Sequence, residues 1–412
     1  MADTIQNDAN TSAPGAPPRP ALPDFSDTEE TFRHLSNSEL RESAWLFRLM
    51  GLPWLTNLLS TLGTWAVRWR IPGAQWGVKR TIYRQFVGGT SLDGALPTIQ
   101  RLHGRGVTSI LDYGAEAKSS EEDFELYRGK ILEAIAFGER TPAANSIALK
   151  VTGLARNEIL EALNDARIDF SGDLEPELAR VVDRLDAVCA AAAKANVQVN
   201  IDAEESWFQN TVDQLADEMM RRHNGAQPIV LNTFQLYRHD RLAFLRTSFE
   251  RAEAGGYLLG AKLVRGAYME KERDRARENG YESPIQPDLA STHRDYDDAV
   301  RFCLEHHERV GVVIGSHNEN SMRLGARLVD ELGIPRAHPH VQFAQLLGMS
   351  DNLTFNLAAA GFNAAKYLVY GPVTDVLPYL VRRAQENTSV TGEVGRELGM
   401  IRTERRRRRA AS

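Results

Sequence analysis

The chain has 412 residues and a net charge of −6, with hydrophobic and charged fractions of 42% and 25%. These values are typical of a soluble globular protein, and the acidic balance argues against a nucleic acid as its partner. Its two cysteines, Cys189 and Cys303, lie far apart, which argues against a disulfide framework and favours a reducing compartment. No paired Cys and His spacing indicates structural zinc.

Residues 1–26 are rich in Ala, Pro, Asn, Asp and Thr, and they lack the basic start and apolar run of a signal peptide. We predict a disordered tail there. Two glycines and a proline interrupt the apolar stretch 45–69, which argues against a membrane-spanning helix. It predicts two short helices, starting near Ser38 and Pro53, in an N-terminal helical arm over 27–90. The alternative is a face that touches lipid or another subunit.

From residue 109 onward, short apolar runs alternate with amphipathic segments of helical length. The predicted strands are 109–113, 146–152, 197–202, 228–233, 261–265, 311–316, 340–344 and 366–370. The predicted helices lie near 120–138, 174–195, 205–223, 238–254, 291–309, 319–332, 349–360 and 374–387. Eight β/α units predict an α/β fold, a TIM-like (β/α)8 barrel over 91–392. An open doubly wound sheet is the runner-up, but no glycine fingerprint follows a strand.

The predicted strands carry polar residues at their carboxyl ends, where a barrel places its active site. These residues are Asp112, Lys150, Asp202, Glu204, Glu205, Asn232, Lys262, Arg265, Tyr268, Ser316, His317, Asn318, Gln342 and Tyr370. Taken singly, each has an ordinary explanation, such as a structural ion pair or the acidic start of a helix. A metal-dependent hydrolase would need clustered ligands, whereas His317 is alone on its strand. The loop Gly266–Tyr268 allows close backbone approach to a ligand, and Arg265 suits the pyrophosphate of a flavin.

One face of the last predicted helix carries Tyr379, Arg382, Arg383 and Glu386. Two adjacent guanidinium groups predict a clamp for a small carboxylate, because each presents a planar fork of donors. The alternative is an ordinary surface ion pair between Arg382 and Glu386. Beyond this helix, the segment 393–412 contains five consecutive arginines. A solvated basic tail is predicted, with weak attraction to an anionic membrane, about 1 kcal/mol per basic residue, as the alternative.

Four motifs closely resemble the proline dehydrogenase family, over about residues 105–390. They are Lys262–Glu272, Tyr370–Asn387, Ile201–Glu205 and Ser316–Asn318. The resemblance implies a distorted (β/α)8 barrel with non-covalently bound FAD. It implies oxidation of L-proline to Δ1-pyrroline-5-carboxylate, with hydride passing to the flavin and electrons passing on to a membrane quinone. It also implies a cytoplasmic, single-function enzyme, peripheral on the inner face of the membrane, whose product an aldehyde dehydrogenase would use.

The resemblance assigns roles to individual residues of this chain. Arg382 and Arg383 would clamp the proline carboxylate, and Asp202 would help hold the active-site charges. Lys262 would lie beside the reacting flavin nitrogen, where bacterial relatives often have Arg; Lys keeps the charge but loses the planar fork. The other substrate-binding residues would be Lys150, Leu263, Tyr370, Tyr379 and Glu386. The residues lining FAD would be Ala203, Asn232, Arg265, Gly266, Ala267, Tyr268, Ser316 and His317.

Two alternatives to proline oxidation remain at this point. A barrel flavoprotein acting on hydroxyproline or a related cyclic amine would have the same motifs, because the sequence cannot show a partner for the extra hydroxyl. A catalytically inactive, membrane-docked binding scaffold would explain the apolar 45–69 stretch and the arginine run.

Overall fold

The computed structural model of the protein describes residues 21–50, 82–114, 119–389 and 393–411. Its nine strands are β1 Val87–Gly89, β2 Val107–Tyr113, β3 Ser146–Leu149, β4 Gln198–Ile201, β5 Val230–Gln235, β6 Leu259–Val264, β7 Val310–Gly315, β8 Val341–Leu346 and β9 Ala364–Tyr370.

Helices precede, separate and follow these strands. They are α1 Thr28–Phe32, α2 Asn37–Met50, α3 Arg84–Phe86, α4 Leu92–His103, α5 Glu121–Glu139, α6 Asn157–Ala162, α7 Pro176–Ala195, α8 Ser206–His223, α9 Arg241–Gly255, α10 Met269–Asn279, α11 Leu289–Glu305, α12 Glu319–Glu331, α13 Asp351–Ala359, α14 Val373–Ser389 and α15 Glu393–Ala410. Several of the helices begin at side-chain caps; for example, Ser120 Oγ accepts from the Asp123 amide ahead of α5.

Strands β2 to β9 pair in parallel with their sequence neighbours, and β9 pairs back onto β2, so the sheet closes. The predicted (β/α)8 barrel is therefore confirmed, and the open sheet is excluded. Apolar residues dominate the strands because both of their faces are covered, by the barrel interior on one side and by helices on the other. Each predicted strand is present, with ends that differ by up to three residues.

The barrel departs from regular geometry beside β9. Strand β8 pairs with β9 only as far as Tyr367, and the short strand β1 then pairs with Val369 and Tyr370. The last helix, α14, is also unusual, because its Val376 and Leu380 join a cluster with residues that face the barrel interior, such as Val313. We infer that α14 lies across the carboxyl-terminal mouth of the barrel.

The two ends of the described chain pack together outside the barrel. Ile401 of α15 contacts a cluster formed by Phe32 of α1 and Leu40 of α2. Arg408 donates to the carbonyls of Phe32 and Leu35, both at 2.8 Å, and so caps the end of α1. The arginine run, predicted as a solvated tail, is part of the helix α15 that Arg408 helps to dock, while Arg406, Arg407 and Arg409 are exposed to solvent.

The boundary of the N-terminal tail also differs from the prediction. The sequence predicts a disordered tail that includes Phe25, yet the Phe25 side chain is only 1% exposed and its carbonyl accepts a hydrogen bond from Asn352. Of the two helices predicted in the N-terminal arm, the first corresponds to α2. The second, near Pro53, lies outside the described residues.

A buried ion pair in the helical layer allows a test of the packing. Asp213 of α8 and Arg241 of α9 lie 2.6 Å apart, with side chains only 3% and 5% exposed. We expect Arg241→Met to lower the free energy of unfolding by about 3–5 kcal/mol, because Asp213 loses its buried counter-charge. The exposed pair of Arg84 and Glu42, each 62% exposed, provides the control. Arg84→Ala should cost about 1 kcal/mol or less in the same denaturation experiment, and equal losses would contradict the packing.

Candidate active site

A buried carboxylate at the mouth of the barrel connects four strands. Asp202 follows β4, and its Oδ1 accepts a hydrogen bond from Lys262 Nζ of β6 at 2.6 Å. Its Oδ2 accepts from the Tyr367 hydroxyl of β9 at 2.7 Å, and Lys150 Nζ, just beyond β3, lies 3.4 Å away. The Lys262 ammonium also lies 4.6 Å from the centre of the Tyr367 ring. One anion therefore fixes two cations and a phenol.

Burial and charge oppose each other in this cluster. Burial acts to raise the pKa of Asp202, but the Lys262 and Lys150 ammonium groups outweigh it and hold that pKa below its usual range. Burial also disfavours charged Lys150, yet Asp202 and other anionic neighbours raise its pKa well above the usual value. Burial raises the pKa of Asp112 to about 6 and that of Glu204 to about 7. The mouth thus combines a fixed ion pair with two carboxyl groups that titrate near neutral pH.

Hydrogen bonds connect the loops around this cluster. The Glu204 carboxylate accepts from the Thr152 hydroxyl at 2.6 Å, and the amide of Gln235, at the end of β5, donates to the Glu204 carbonyl at 2.7 Å. Glu272 of α10, fully buried, accepts from the Ser206 backbone N–H at 2.7 Å. The loops that follow β3, β4, β5 and β6 are therefore held together, which preorganises the residues that they carry.

The guanidinium group of Arg265, just beyond β6, has only neutral partners. It donates to Ser316 Oγ at 2.6 Å, Ser321 Oγ at 2.9 Å and His293 Nδ1 at 3.0 Å, and it lies over the Tyr296 ring. No carboxylate within the described ranges forms a salt bridge with it. Burial lowers its pKa against the opposing charge of Asp297, which reaches it only through Ser321, so its desolvation is not offset by a direct anionic partner. A half-buried cation of this kind fits a phosphate-bearing ligand.

The loop after Arg265 has a backbone that favours glycine. Gly266 has φ +139°, and a Cβ there would lie 2.4 Å from a ring carbon of Tyr237. Gly266 and Ala267 are exposed, and Tyr268 precedes α10. The loop therefore offers exposed backbone beside the Arg265 cation, as a bound ligand with phosphate groups would require.

The paired arginines of α14 lie at the same end of the barrel. Arg383 is buried, and its guanidinium lies 5.3 Å from the centre of the Tyr379 ring. The charge of Arg382 acts to lower the pKa of Tyr268, as does that of Lys150, so both cations are near this tyrosine. Both arginines thus lie beside the loops that form the mouth. Tyr379 belongs to the same hydrophobic cluster as residues that face the barrel interior.

The side chains of three predicted site residues point away from the barrel interior. Side chains alternate along a strand, and Leu263, Asn232 and Tyr370 project into the layer between the barrel and its helices. The Asn232 amide donates to Asp213 of α8 at 2.8 Å, and Tyr370 packs against a tyrosine of β2. The side chain of Glu386 lies outside the described part of the chain. The remaining predicted residues surround the mouth: Lys150, Asp202, Ala203, Lys262, Arg265, Gly266, Ala267, Tyr268, Ser316, His317, Tyr379, Arg382 and Arg383.

Sequence reasoning missed two residues of the mouth, Tyr367 and Gln235. The run Lys366–Tyr370 contains two tyrosines, and only the register of β9 shows that Tyr367 faces the interior. Gln235 shares a face of β5 with Leu231, which belongs to the barrel interior. The alternation of side chains from a known inward residue would have identified both.

Residues 95–396 match the family model described as proline dehydrogenase. The match covers more than half of the chain, so the chain belongs to the proline dehydrogenase family. Family membership implies a flavin cofactor. The half-buried Arg265 without a carboxylate partner, next to the exposed Gly266 backbone, fits the phosphate part of such a cofactor.

Curated relatives carry the same name. The chain is 40% identical to "Proline dehydrogenase 1, mitochondrial" of Drosophila melanogaster over 245 residues, which cover 57% of this chain and 36% of the fly protein. The human protein of that name is 40% identical over 235 residues, which cover 56% of this chain and 39% of the human protein. The chain thus spans well under half the length of these two relatives. The hydroxyproline dehydrogenase of Xenopus laevis is 31% identical over 415 residues, covering 92% of this chain and 88% of that protein.

Solved structures share the fold. The proline utilization A protein of Bdellovibrio bacteriovorus superposes with a TM-score of 0.73 at 20% identity, covering 89% of this chain and 41% of that one. Such low identity supports the barrel architecture alone.

The predicted cytoplasmic location is wrong. The proline dehydrogenases of Drosophila melanogaster, Homo sapiens and Arabidopsis thaliana that resemble this chain are named as mitochondrial proteins. In the part of the chain that the structure describes, no helix has both the length and the apolar character needed to cross a bilayer.

The buried Glu204 gives a pH-dependent prediction. Its pKa is about 7 in the folded protein and about 4 when unfolded, so the folded state holds an extra proton between these values. The contribution of this proton to the free energy of unfolding is fully present below the pKa of Glu204 in the unfolded chain. It is lost as the pH rises through the pKa of Glu204 in the folded protein. Between about pH 5 and 7, the free energy of unfolding should fall about 2–3 kcal/mol more in the wild type than in Glu204→Gln. Parallel profiles in denaturant titrations would contradict a protonated Glu204.

Proposed function

We propose that the protein is an FAD-dependent L-proline dehydrogenase that oxidises L-proline to Δ1-pyrroline-5-carboxylate and passes the electrons to a quinone. The observation that carries the proposal is the pairing of two arginines on α14 with the buried Asp202 cluster in one barrel mouth. Membership in the proline dehydrogenase family supports it independently.

The substrate has a carboxylate and a small apolar ring, and the mouth offers a partner for each. Arg382 and Arg383 would hold the carboxylate, because two guanidinium forks can donate several charge-assisted hydrogen bonds to it. The Tyr379 ring, already packed against Arg383, would form a wall for the apolar ring. Lys150 adds positive charge nearby, although the anion Asp202 engages it. Orienting the substrate in this way is the main contribution of the protein to the reaction.

The cofactor would occupy the groove next to this clamp. Arg265 would bind the pyrophosphate of FAD. The backbone of Gly266, Ala267 and Tyr268 would lie close to the same part of the cofactor. Ala203, Ser316 and His317 would line it elsewhere. When bound, FAD supplies the hydride acceptor that side chains lack.

Lys262 would keep a positive charge beside the flavin in a fixed position. A lysine has a flexible stem and no planar fork, so its orientation depends on its neighbours. Here Asp202 accepts from its Nζ at 2.6 Å, and the Tyr367 ring lies under the same nitrogen. The pair Asp202 and Tyr367 therefore restrains Lys262, and we assign Tyr367 to the site in place of Tyr370.

Hydroxyproline is a second candidate substrate, because the Xenopus relative named as a hydroxyproline dehydrogenase covers most of this chain. Comparing kcat/KM for L-proline and hydroxyproline distinguishes the two. We expect L-proline to be preferred at least tenfold, since a ring hydroxyl needs a hydrogen-bonding partner in the pocket. We further propose that an aldehyde dehydrogenase consumes the product after ring opening.

Removing one arginine of the clamp tests substrate binding. Arg383→Met deletes a charged donor, so the KM for L-proline should rise about 10- to 100-fold while FAD stays bound, the loss expected for hydrogen bonds to a charged group. Steady-state kinetics and the flavin absorbance of the purified variant measure both quantities. The exposed Arg402 of α15 is the control, and Arg402→Met should keep the wild-type KM. An unchanged KM in Arg383→Met would remove the clamp from the account.

The absorption spectrum tests the proposed reaction as a whole. The purified protein should be yellow, and without oxygen its visible flavin bands should bleach on addition of L-proline but not of D-proline. A folded, colourless protein would reject the cofactor, and a yellow protein that does not respond to L-proline would reject the substrate.

A further inference from the structure

We propose that Glu397, on the C-terminal helix α15, is a positioning residue that orients His317 through Ser350. The inference rests on the proposed function, because His317 is one of the residues proposed to line the flavin. It assigns to α15, which the resemblance leaves without a role, a part in building the cofactor site.

A short series of hydrogen bonds connects the three residues. The Glu397 carboxylate, 6% exposed, accepts from the Ser350 backbone N–H at 2.9 Å. The Ser350 hydroxyl lies 3.0 Å from His317 Nδ1. Among the residues that the structure describes, the His317 ring forms its hydrogen bond through Nδ1, and none is made by the other ring nitrogen, Nε2. That nitrogen is therefore available to a ligand.

The backbone of Ser350 requires support from its surroundings. Its φ is +48°, and within the described ranges the only other non-glycine residue with positive φ is Asn196. Side chains other than glycine are disfavoured in this conformation, which persists only where neighbouring contacts hold it. The Glu397 carboxylate provides one such contact by accepting the Ser350 N–H. Loss of this acceptor would release the loop that carries the hydroxyl next to His317.

His317 is a neutral ring, so its hydrogen bonds determine its chemistry. Burial lowers its pKa to about 3, and the charges of Lys366, Arg383 and Arg396 act in the same direction. A neutral imidazole has one N–H, and the partner of one nitrogen decides whether the other donates or accepts. The Ser350 hydroxyl, which can donate to or accept from Nδ1, thus holds the ring in one orientation and fixes the direction in which Nε2 faces the proposed cofactor site.

Packing of α15 does not explain why an acid is buried at position 397. The helix is anchored elsewhere, since Glu404 accepts from the Thr28 hydroxyl at 3.2 Å and Arg408 caps α1. Burial and the nearby Asp351 carboxylate raise the pKa of Glu397 to about 7, against the opposing charges of Arg396 and Lys366. An apolar side chain would avoid this desolvation cost, whereas only an acceptor can hold the Ser350 N–H.

The flavin-loaded protein allows a test with matched variants. Glu397→Leu removes the acceptor, and Glu397→Gln keeps one in its amide oxygen. We expect FAD to dissociate at least tenfold faster from the Leu variant, with a shifted visible spectrum, and within twofold of the wild-type rate from the Gln variant. Ser350→Ala should match the Leu variant, because it removes the contact to His317 while leaving α15 intact.

A second buried acid on the same helix provides the control. Glu404→Leu should lower the melting temperature, because its contacts join α15 to α1, but FAD release should stay within twofold of the wild type. The role of Glu397 is contradicted if Glu397→Gln releases FAD as fast as Glu397→Leu, or if Ser350→Ala releases FAD at the wild-type rate. It is also contradicted if Glu404→Leu accelerates release as much as Glu397→Leu.

The wild-type protein separates this inference from the proposed function. A wild type that binds no FAD would overturn both. A yellow wild type that responds to L-proline, together with a Glu397→Leu variant that releases FAD at the wild-type rate, would overturn this inference alone.

Discussion

The buried carboxylate of Asp202 is the interaction on which the candidate site depends. Taking a charge out of water costs several kcal/mol unless partners compensate for it. Here Lys262 of β6, Lys150 just beyond β3 and Tyr367 of β9 supply that compensation. The same contacts restrain the side chains that would face the substrate and cofactor. Stability of the mouth and preorganisation of the site are therefore two results of one arrangement.

The irregular part of the barrel explains how this cluster is covered. A regular (β/α)8 barrel places its helices outside the sheet and leaves the mouth to loops. In this protein α14 packs with residues of the barrel interior, and β1 replaces β8 beside the end of β9. The paired Arg382 and Arg383 thereby lie over the mouth. A cation pair on a covering helix, above a charge-balanced cluster, suits a small anionic substrate that must be shielded from water.

The sequence predicts the barrel because its strands are buried on both faces and read as apolar runs of regular spacing. It also predicts the polar strand ends and the arginine pair. It does not give the face on which each strand residue lies, and a shift of one position exchanges inward and outward side chains. For this reason the sequence predicts Leu263, Asn232 and Tyr370 in the site, whereas the structure has Tyr367 and Gln235 at the mouth. Position along the chain was likewise a poor guide to exposure at both termini, where Phe25 and Arg408 form tertiary contacts.

We infer that the arginine pair and the Asp202 cluster act on one ligand. A crystal structure of the FAD-loaded protein with a non-oxidisable analogue of L-proline tests it most directly. We expect the analogue's carboxylate between Arg382 and Arg383, and its ring between Tyr379 and a flavin whose reacting nitrogen lies next to Lys262. An analogue bound away from these arginines, or a flavin remote from Lys262, would contradict the account.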